Sequence, residues 1–450
     1  MISKKLPSAL AAYEGCIFFL GIGGSGMYGV ARLSAALGLR ILGSDGKESS
    51  NVLALRACGI PVVSEGEALP ENVSLVVYSF AVPETHPRRE EAKARQIPCL
   101  DRASFFGILM QAFPIRVSVA GTHGKSSTTA MCAAILQAAG KDPTVVSGAP
   151  LGIGKDSFRE GKGDILLFEA CEYRDAFLSF CPTHALALSA SWEHTDYFES
   201  KEAVLASFCA YLGGKSVLKS VAPAGLFSAD VTYGKDGDLR AEQRVATGEG
   251  SSFLLVQKGR SIGRVTLRAL GEHQIENALG AAALTLAMGI PEKAVIEGLS
   301  SYTGIPRRME KKGVLRASPL YLDFAHHPKE LFCALRTASQ LGAPLAVVFE
   351  PHTYSRTKAF FEDYVRALRL PHMAGILPIY AAREKEDPLV SSLALAKAAG
   401  IAYLADYLHA ARFLTRAAGK GCTLLLVGAG GVEEVLSYLP FLLPEGESAR

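Results

Sequence analysis

The sequence predicts an α/β protein in which three domains each surround a mainly parallel sheet. The chain has 450 residues, a length that favours several domains over one. Short apolar, strand-like runs alternate with helix-like runs throughout, as in parallel sheets whose strands are joined by helices. Glycine-rich turns follow two of these strands. Together these observations predict domains over residues 1–111, 112–312 and 313–450.

Composition restricts the class of protein. Apolar residues make up 49% of the chain and charged residues 20%, which is ordinary for a globular protein with large cores. The net charge of +3 is too small to indicate binding to nucleic acid or to a lipid surface. No apolar run is long enough to insert across a membrane. The nine cysteines are scattered and contain no C-x-x-C pair, which is typical of reduced thiols in a cytoplasmic protein.

The first domain opens with a strand, Cys16–Leu20, that runs into a glycine-rich turn at residues 21–27. A helix follows, and a second strand at residues 40–45 ends in Asp45. This order, with its G-x-G-x-x-G turn, is typical of a Rossmann-like domain. The pattern alone fits a dinucleotide, although glycine clusters also arise from turn packing. A further strand is predicted at residues 73–79.

The second domain contains the most informative stretch of the chain, a strand at residues 115–119 followed by a tight turn and a helix. Gly121 and Gly124 let the backbone turn its N–H groups inward, Lys125 adds a positive charge, and Ser126 offers a hydroxyl to Mg²⁺. This is a short form of the phosphate-binding loop, in a P-loop ATPase-like domain. The alternative is an ordinary glycine-rich turn with an exposed lysine, and the flanking strand and helix argue against it. Beside such a loop, the first glycine turn is better suited to the diphosphate of a nucleotide-linked substrate.

Two further polar residues of this domain are candidates for a metal site. Glu169 ends a strand at residues 164–169, and His194 lies in a polar segment after a strand at residues 184–188. Ligands of open parallel sheets bind at the carboxyl ends of strands, so these side chains could hold Mg²⁺ together with Ser126. Taken singly, Glu169 is better explained as a helix cap and His194 as a loop histidine, but together with the phosphate loop the metal site is favoured.

Residues 216–269 are expected to add antiparallel strands, after which a third, Rossmann-like domain begins. Its strands are expected at residues 320–323, 345–349, 376–380 and 423–427.

Polar clusters follow two of these strands. His326 comes after the first, and His352 with Arg356 comes after the second. His352 and Arg356 are candidates for holding a small carboxylate-bearing substrate, since an arginine fork matches a carboxylate. Ordinary loop chemistry is the alternative. For Arg307 and Arg308, the spacing leaves open whether they reach a γ-phosphate or form a surface basic pair.

Together these residues resemble the Mur ligase family, and within it the ligases that add L-alanine to UDP-N-acetylmuramate. The resemblance runs through all three domains in the family's order. The motifs that carry it lie at residues 21–27, 43–45, 120–125, 169–174, 177–178, 196–198, 271–279, 307–308, 325–328, 351–356 and 380–384.

The resemblance implies a cytoplasmic, ATP-dependent ligase of peptidoglycan precursor synthesis. ATP would phosphorylate the lactyl carboxylate of UDP-N-acetylmuramate, and the amine of L-alanine would attack the resulting acyl phosphate. ATP and Mg²⁺ are the implied cofactors. The implied partners are the two small-molecule substrates, with a monomer or weak homodimer expected.

The resemblance also assigns roles to residues. Catalytic roles are implied for Lys125, Glu169, His194, Arg307, Arg308 and His326. Metal ligation is implied for Ser126, Glu169 and His194. ATP binding is implied for Gly121, Thr122, His123, Gly124, Lys125, Ser126, Ser127, His273 and Asn277. Substrate binding is implied for Gly21, Gly23, Gly24, Ser25, Gly26, Met27, Asp45, Ser79, His352 and Arg356.

The chain departs from the family pattern at several positions. Residues 188–193 lack the usual asparagine and one acid, and Phe324 stands where tyrosine is usual, which keeps alternatives open. Leu322 and Gly431 also replace acids. One alternative is a related ligase that adds another amino acid or a recycled peptide. A second is a nucleotide-binding paralogue with weakened catalysis, although the retained Lys125, Glu169 and His194 argue against it. An NAD-dependent oxidoreductase would account for the first domain only.

Overall fold

The computed structural model describes residues 6–11, 13–152, 156–194 and 197–439. It confirms the α/β class, with three sheets whose central strands are parallel. The chain divides into two compact units. Unit 1 comprises Met1–Val245, Ser252–Leu267 and Ile275–Thr303, and unit 2 comprises Ala246–Ser251, Arg268–Gln274 and Gly304–Arg450. Unit 1 contains the first sheet and most of the second, and unit 2 contains the third. The three domain boundaries drawn from the sequence stay predictions.

The first sheet has five parallel strands in the order β3-β2-β1-β4-β5. The strands are β1 (Cys16–Leu20), β2 (Ile41–Ser44), β3 (Val62–Val63), β4 (Val73–Tyr78) and β5 (Cys99–Asp101). The helices are α1 (Ser8–Ala11), α2 (Ser25–Ala36), α3 (Ser50–Ala57), α4 (Pro87–Ala94) and α5 (Arg102–Leu109), with a 3₁₀ turn at Met110–Ala112. The strand order reverses at β1, and open α/β sheets bind ligands at the carboxyl edge beside such a reversal. The first glycine turn leaves β1 at this point.

The second sheet has ten strands in the order β15-β14-β13-β12-β11-β10-β6-β9-β7-β8. The strands are β6 (Ile115–Ala120), β7 (Thr144–Val146), β8 (Phe158–Arg159), β9 (Ile165–Ala170), β10 (His184–Ala187), β11 (Lys219–Pro223), β12 (Val231–Tyr233), β13 (Leu239–Thr247), β14 (Gly250–Gln257) and β15 (Arg260–Leu267). The helices are α6 (Lys125–Ala138), α7 (Lys201–Leu212), α8 (Glu272–Ala287) and α9 (Glu292–Ser301), with a 3₁₀ segment at Tyr173–Ser179.

The expectation of antiparallel strands over residues 216–269 is wrong for its first part. The strands β11 and β12 extend the parallel sheet beyond β10. Helix α7 lies between β10 and β11 in the chain, and a helical crossover returns the next strand in the same direction. The strands β13, β14 and β15 follow one another through two-residue connections, the kind that joins antiparallel neighbours.

The phosphate-loop strand β6 lies between β10 and β9 at the centre of the second sheet. Its residues from Val117 to Ala120 are buried, and helix α6 is buried from Ser127 to Leu136. Continuous burial of this kind is typical of strands covered by helices on both faces. The turn between β6 and α6 therefore stands on a firmly packed base.

Helix α5 joins the first sheet to the second within unit 1. The ring of Phe106 meets the rings of Phe168 and Phe180 edge to face, with centroids 5.3 Å apart in each case. A Cβ atom on Gly107 would lie 2.1 Å from the carbonyl oxygen of Ser179, so only glycine permits this approach. The packing fixes the position of α5 relative to both sheets.

The third sheet has six strands in the order β16-β17-β21-β18-β19-β20, and only β16 is antiparallel to its neighbour. The strands are β16 (Glu310–Leu315), β17 (Ser318–Asp323), β18 (Leu345–Glu350), β19 (Met373–Ile376), β20 (Ala402–Tyr403) and β21 (Thr423–Gly428). The helices are α10 (Pro328–Ser339), α11 (Tyr354–Ala359), α12 (Phe361–Leu368), α13 (Ser392–Ala399) and α14 (Tyr407–Ala418), with a 3₁₀ segment at Val432–Tyr438. The strand expected at residues 376–380 ends instead at Ile376, because Pro378 has no N–H group for the sheet.

Among the residues that the structure describes, no helix is long and apolar enough to cross a bilayer.

Candidate active site

The second glycine turn is shaped by two residues that must be glycine. Gly124, which precedes α6, has a φ of +83°, and a Cβ atom there would lie 2.5 Å from Oδ1 of Asn277. Gly121 has a φ of +147°, and a Cβ atom there would lie 2.9 Å from Cβ of Leu188. These conformations suit glycine alone, so the turn is a tight backbone loop at the N-terminus of a helix. Such a loop is suited to binding phosphate.

Lys125, the first residue of α6, is held by a buried carboxylate. Its Nζ atom donates hydrogen bonds to Oε2 of Glu172, at 2.9 Å, and to the carbonyl oxygen of Gly121. Glu172 is only 1% exposed. Burial lowers the pKa of Lys125, but Glu172, together with Cys171 and Glu193, outweighs burial and the pKa is raised. Burial likewise raises the pKa of Glu172, but Lys125 and His194 together lower it to about 2. Both groups are therefore charged at neutral pH.

A second acid and a histidine join this pair. The Nε2 atom of His194 lies 3.6 Å from Oε1 of Glu172, and the ring of Tyr173 packs 4.7 Å from that of His194. One ligand atom from each of Glu172, Glu193 and His194 lies within 4.8 Å of the others. Two carboxylates and an imidazole at this spacing are a reasonable donor set for a divalent cation.

The other residues of the sequence-predicted metal set lie near this cluster in the chain but have different contacts. Ser126 is the second residue of α6 and is half-buried, whereas Ser127 is buried. Glu169 pairs with Val119 across the β9–β6 ladder, and its carboxylate accepts hydrogen bonds from the hydroxyl of Ser147 and, at 2.8 Å, the N–H group of Gly148. The assignment of Glu169 and Ser126 to a metal stays a prediction.

The altered segment at residues 188–193 supports the phosphate loop directly. The carbonyl oxygen of Ser189 accepts a hydrogen bond from the N–H group of Thr122 at 3.1 Å, and its hydroxyl accepts one from the N–H group of His123 at 3.0 Å. The hydroxyl of Thr122 in turn accepts a hydrogen bond from the N–H group of Ser191 at 3.0 Å. Ser189 and Ser191 thus tie this segment to the phosphate loop.

The first glycine turn is organised by an acid. The carboxylate of Asp45 accepts a hydrogen bond from the N–H group of Gly23 at 2.9 Å. Gly21 has a φ of +74°, and the Cβ atom of Ser79 lies 3.8 Å from where a Cβ on Gly21 would stand. Of the predicted substrate-binding residues here, Met27 is 1% exposed and its side chain belongs to the core. The others, Gly21, Gly23, Gly24, Ser25 and Gly26, form the turn and the start of α2.

In unit 2, three of the predicted residues come together. The imidazole centroids of His326 and His352 are 5.7 Å apart, and Nη1 of Arg356 contacts Nδ1 of His352 at 3.2 Å. The ring of Tyr380 stacks on that of His352 at 5.7 Å. Burial lowers the pKa of both histidines to about 4, so both are neutral at pH 7 and Arg356 carries the positive charge of this group.

The structure distinguishes Arg307 from Arg308, whose roles the sequence left open. The Nη2 atom of Arg307 donates hydrogen bonds to the carbonyl oxygens of Gly428, at 2.8 Å, and Gly430, at 3.1 Å, and so fastens the turn after β21. The guanidinium groups of Arg307 and Arg308 lie 4.8 and 5.3 Å from the centroid of the Phe324 ring. The phenylalanine that replaces tyrosine therefore packs beneath both arginines.

The glycine that replaces an acid at position 431 has a steric explanation. A Cβ atom on Gly431 would lie 2.5 Å from the hydroxyl oxygen of Tyr407, which donates a hydrogen bond to Glu350 at 3.0 Å. The tyrosine–glutamate pair fills the space that a side chain would need.

The two residues expected to hold adenosine lie on helix α8. His273 is exposed in its first turn, in unit 2, and Asn277 is buried against Gly124 in unit 1. Asp196, part of one resembling motif, lies outside the described residues. The sequence assigned no role to three polar residues of the site, Glu172, Glu193 and Arg102. Their only signal was position: the first two lie within three residues of Glu169 or His194, and Arg102 opens a helix at the carboxyl end of β5.

Models of three domain families match this chain in order. The model described as "Mur ligase family, catalytic domain" matches residues 17–114, "Mur ligase middle domain" matches residues 119–285, and "Mur ligase, glutamate ligase domain" matches residues 307–430.

Relatives and solved structures agree. A protein from Agathobacter rectalis named UDP-N-acetylmuramate–L-alanine ligase is 35% identical over 93% of this chain and 96% of its own length. A protein of the same name from Caldanaerobacter subterraneus subsp. tengcongensis is 34% identical over the same shares. The crystal structure of UDP-N-acetylmuramate–alanine ligase MurC from Thermotoga maritima has a TM-score of 0.80, at 23% identity, over 94% of this chain and 98% of that one. That of a murein peptide ligase from Psychrobacter arcticus has a TM-score of 0.69, at 21% identity, over 95% and 99%.

Proposed function

The chain belongs to the Mur ligase family, and we propose that it joins L-alanine to the lactyl carboxylate of UDP-N-acetylmuramate with ATP as the energy source. The observation that carries this proposal is the charged pair of Lys125 and Glu172 at a tight phosphate loop, beside His194. Relatives named UDP-N-acetylmuramate–L-alanine ligase match nearly the whole chain, which supports the choice of acceptor and of amino acid.

The chemistry needs charge neutralisation more than covalent help from the protein. A free carboxylate is a poor electrophile, and phosphorylation converts one of its oxygens into part of a leaving group. The amine of L-alanine then attacks the acyl carbon, a tetrahedral intermediate forms, and phosphate leaves. The N–H groups of the second glycine turn and the ammonium group of Lys125 would hold the phosphates of ATP and balance charge on the transferring phosphoryl group.

The cluster of Glu172, Glu193 and His194 fits a divalent cation, since its oxygen and nitrogen atoms already converge. We propose that the ligands of Mg²⁺ come from these three residues and from the predicted ligands Ser126 and Glu169. When bound, Mg²⁺ would neutralise negative charge on the phosphates. The acid that the 188–193 segment lacks is then offset by Glu172, beside the retained Glu193.

We assign the roles in unit 2 by asking which side chains already have hydrogen-bond partners within the protein. Arg307 is committed to the carbonyl oxygens of Gly428 and Gly430, so we assign the contact with the nucleotide phosphates to Arg308. Arg356 is the charged member of the group with His326 and His352, and it would bind the carboxylate of L-alanine. The neutral histidines would orient that carboxylate by hydrogen bonds.

We further propose that residues 1–111 bind the uridine nucleotide, 112–312 bind ATP and 313–450 bind the amino acid. The protein would act in the cytoplasm as a monomer or weak homodimer. Analytical sedimentation at several protein concentrations tests the oligomeric state.

The test of the function is phosphate release from ATP in the presence of Mg²⁺ and UDP-N-acetylmuramate. L-alanine, L-serine, glycine and a cell-wall tripeptide are offered separately. We expect turnover to be highest with L-alanine and to require the uridine nucleotide. Turnover with the tripeptide alone would instead identify a peptide-recycling ligase, and the absence of turnover with every acceptor would contradict a ligase.

A further inference from the structure

Arg102 opens helix α5 at the carboxyl end of β5, and the acid that precedes it in the chain, Asp101, has other hydrogen-bond partners. The carboxylate of Asp101 caps the helix, accepting hydrogen bonds from the N–H groups of Ala103, at 2.8 Å, and Ser104, at 3.1 Å. Among the residues that the structure describes, none pairs with the guanidinium group of Arg102 or accepts a hydrogen bond from it. Its N–H donors are therefore available to a ligand.

The guanidinium group lies over the first glycine turn. A Cβ atom built on Gly26 would be 3.0 Å from Nη1, 3.1 Å from Cζ and 3.3 Å from Nε of Arg102. Gly26 is the second residue of α2, so the side chain of Arg102 covers the N-terminal end of that helix. The absence of a side chain at position 26 is what permits this contact.

The first glycine turn has no positive side chain of its own. Residues 21–27 contain no lysine or arginine, whereas the second turn runs directly into Lys125. Backbone N–H groups and a helix N-terminus attract an anion, and a planar arginine fork matches phosphate oxygens in pairs. Arg102 thus supplies from another helix the charge that the turn lacks.

Helix α5 also holds this arginine in a fixed place. Phe106 and Gly107, within two turns of Arg102, pack against the second sheet as described above. The start of α5, and with it the base of the Arg102 side chain, is therefore held in place.

We propose that Arg102 binds the diphosphate of the uridine-linked substrate where the first glycine turn enters α2. This inference rests on the proposed function for the identity of the nucleotide. A contact to the diphosphate is distant from the bond that forms, so it stabilises the bound substrate and the transition state equally. Arg102 is in this sense a residue that sets substrate affinity.

The experiment measures binding of UDP and of UDP-N-acetylmuramate by calorimetry to the full chain and to Arg102→Gln and Arg102→Lys. We expect Arg102→Gln to weaken both ligands by about tenfold to a hundredfold, and Arg102→Lys to weaken them less. The KM for the uridine substrate should rise equally, with kcat within about twofold of the wild-type value. The control is Arg40→Gln, which removes the same charge from an exposed residue at the opposite, amino end of β2.

A second variant tests the contact without changing the charge. In Gly26→Ala the new methyl group would lie 3.0 Å from Nη1, so the guanidinium must shift, and the affinity for UDP should fall by less than in Arg102→Gln. Combined with Arg102→Gln, its effect should be less than additive, because both changes remove one interaction.

Four outcomes would overturn the proposal. Unchanged UDP affinity in Arg102→Gln would do so, as would loss of affinity for UDP-N-acetylmuramate alone, which would assign the contact to the sugar or lactyl carboxylate. An equal loss in Arg40→Gln would mean that net charge is responsible. If Arg174→Gln showed the loss instead, the exposed arginine near Phe80 would be the ligand. A wild-type chain that binds UDP normally but does not join L-alanine would contradict the proposed function and leave this inference standing.

Discussion

The two glycine turns of unit 1 are the same structural unit put to different uses. Each leaves a central parallel strand at its carboxyl end and enters a helix, α2 in one case and α6 in the other. In the first turn, Gly24 precedes the helix with an ordinary φ of −62°, and a carboxylate, that of Asp45, braces the backbone. In the second, Gly124 precedes the helix with a φ of +83°, and a lysine follows it.

The two turns differ in which residue supplies their positive charge. In the first turn the positive charge comes from Arg102 on another helix, and the carboxylate of Asp45 holds the backbone. The second turn carries Lys125 itself and holds it with a buried carboxylate. The first arrangement suits a substrate that must bind and leave, and the second suits neutralising charge on a phosphoryl group in transfer.

The largest effect should come from the lysine of the second turn. We expect Lys125→Ala to lower kcat by at least about a thousandfold, because the positive charge at the phosphoryl group is lost. It should also lower stability by about 3 kcal/mol at pH 7, because the buried Glu172 carboxylate is left unpaired. Steady-state phosphate release and urea unfolding measure the two effects.

A double variant separates these two effects. Lys125→Ala with Glu172→Gln should recover most of the stability and none of the activity, since the buried charge is gone but the phosphates still lack their cation. Lys141→Ala, an exposed lysine just after α6, is the matched control. Near-normal turnover in either Lys125 variant would refute the role of this turn.

The next largest effect should come from the glycines that precede α2 and α6. In Gly124→Ala the new side chain meets a left-handed backbone and the amide oxygen of Asn277, so we expect a loss of about 2 kcal/mol in stability and roughly a tenfold rise in the KM for ATP. In Gly24→Ala the nearest atom is 3.4 Å away and φ is ordinary, so the stability should change by less than about 1 kcal/mol. Equal losses in the two variants would mean that the turns do not differ as described.

The stability that the protein loses at acid pH should also depend on the second turn. The pKa of Glu172 is lowered in the folded chain from 4.5 to about 2, so the unfolded chain binds a proton more readily and stability is lost as pH falls through this window. We expect wild type to lose on the order of 2 kcal/mol more than the Lys125→Ala, Glu172→Gln variant between pH 5 and pH 2.5. Parallel unfolding profiles for the two proteins would contradict the assignment.

The sequence was a better guide to strands and turns than to the partners of charged groups. The strand Cys16–Leu20 and both glycine turns follow from local patterns, and the third-domain residues His326, His352 and Arg356 meet because parallel strands end at one edge. That Glu172, and not Glu169, reaches Lys125 depends on the chain path after β9. There Arg174 and Asp175 both adopt left-handed φ values of 54° and 55°, which no periodicity predicts.

The smallest effect is spectroscopic, and it asks whether the two turns respond separately. Trp192 is the only tryptophan, is 43% exposed, and donates a hydrogen bond to the carbonyl oxygen of Phe198 at 2.9 Å. It follows Ser191, whose N–H group binds Thr122 of the second turn. A non-hydrolysable ATP analogue with Mg²⁺ should therefore change its fluorescence, by roughly a tenth to a third, because the segment that carries it rests on the occupied loop. UDP alone, bound at the first turn, should leave the emission unchanged, and Trp192→Phe should abolish the signal. An equal response to UDP would mean that the first turn communicates with the second through the packed helix α5, and the two turns would then have to be treated as one coupled site.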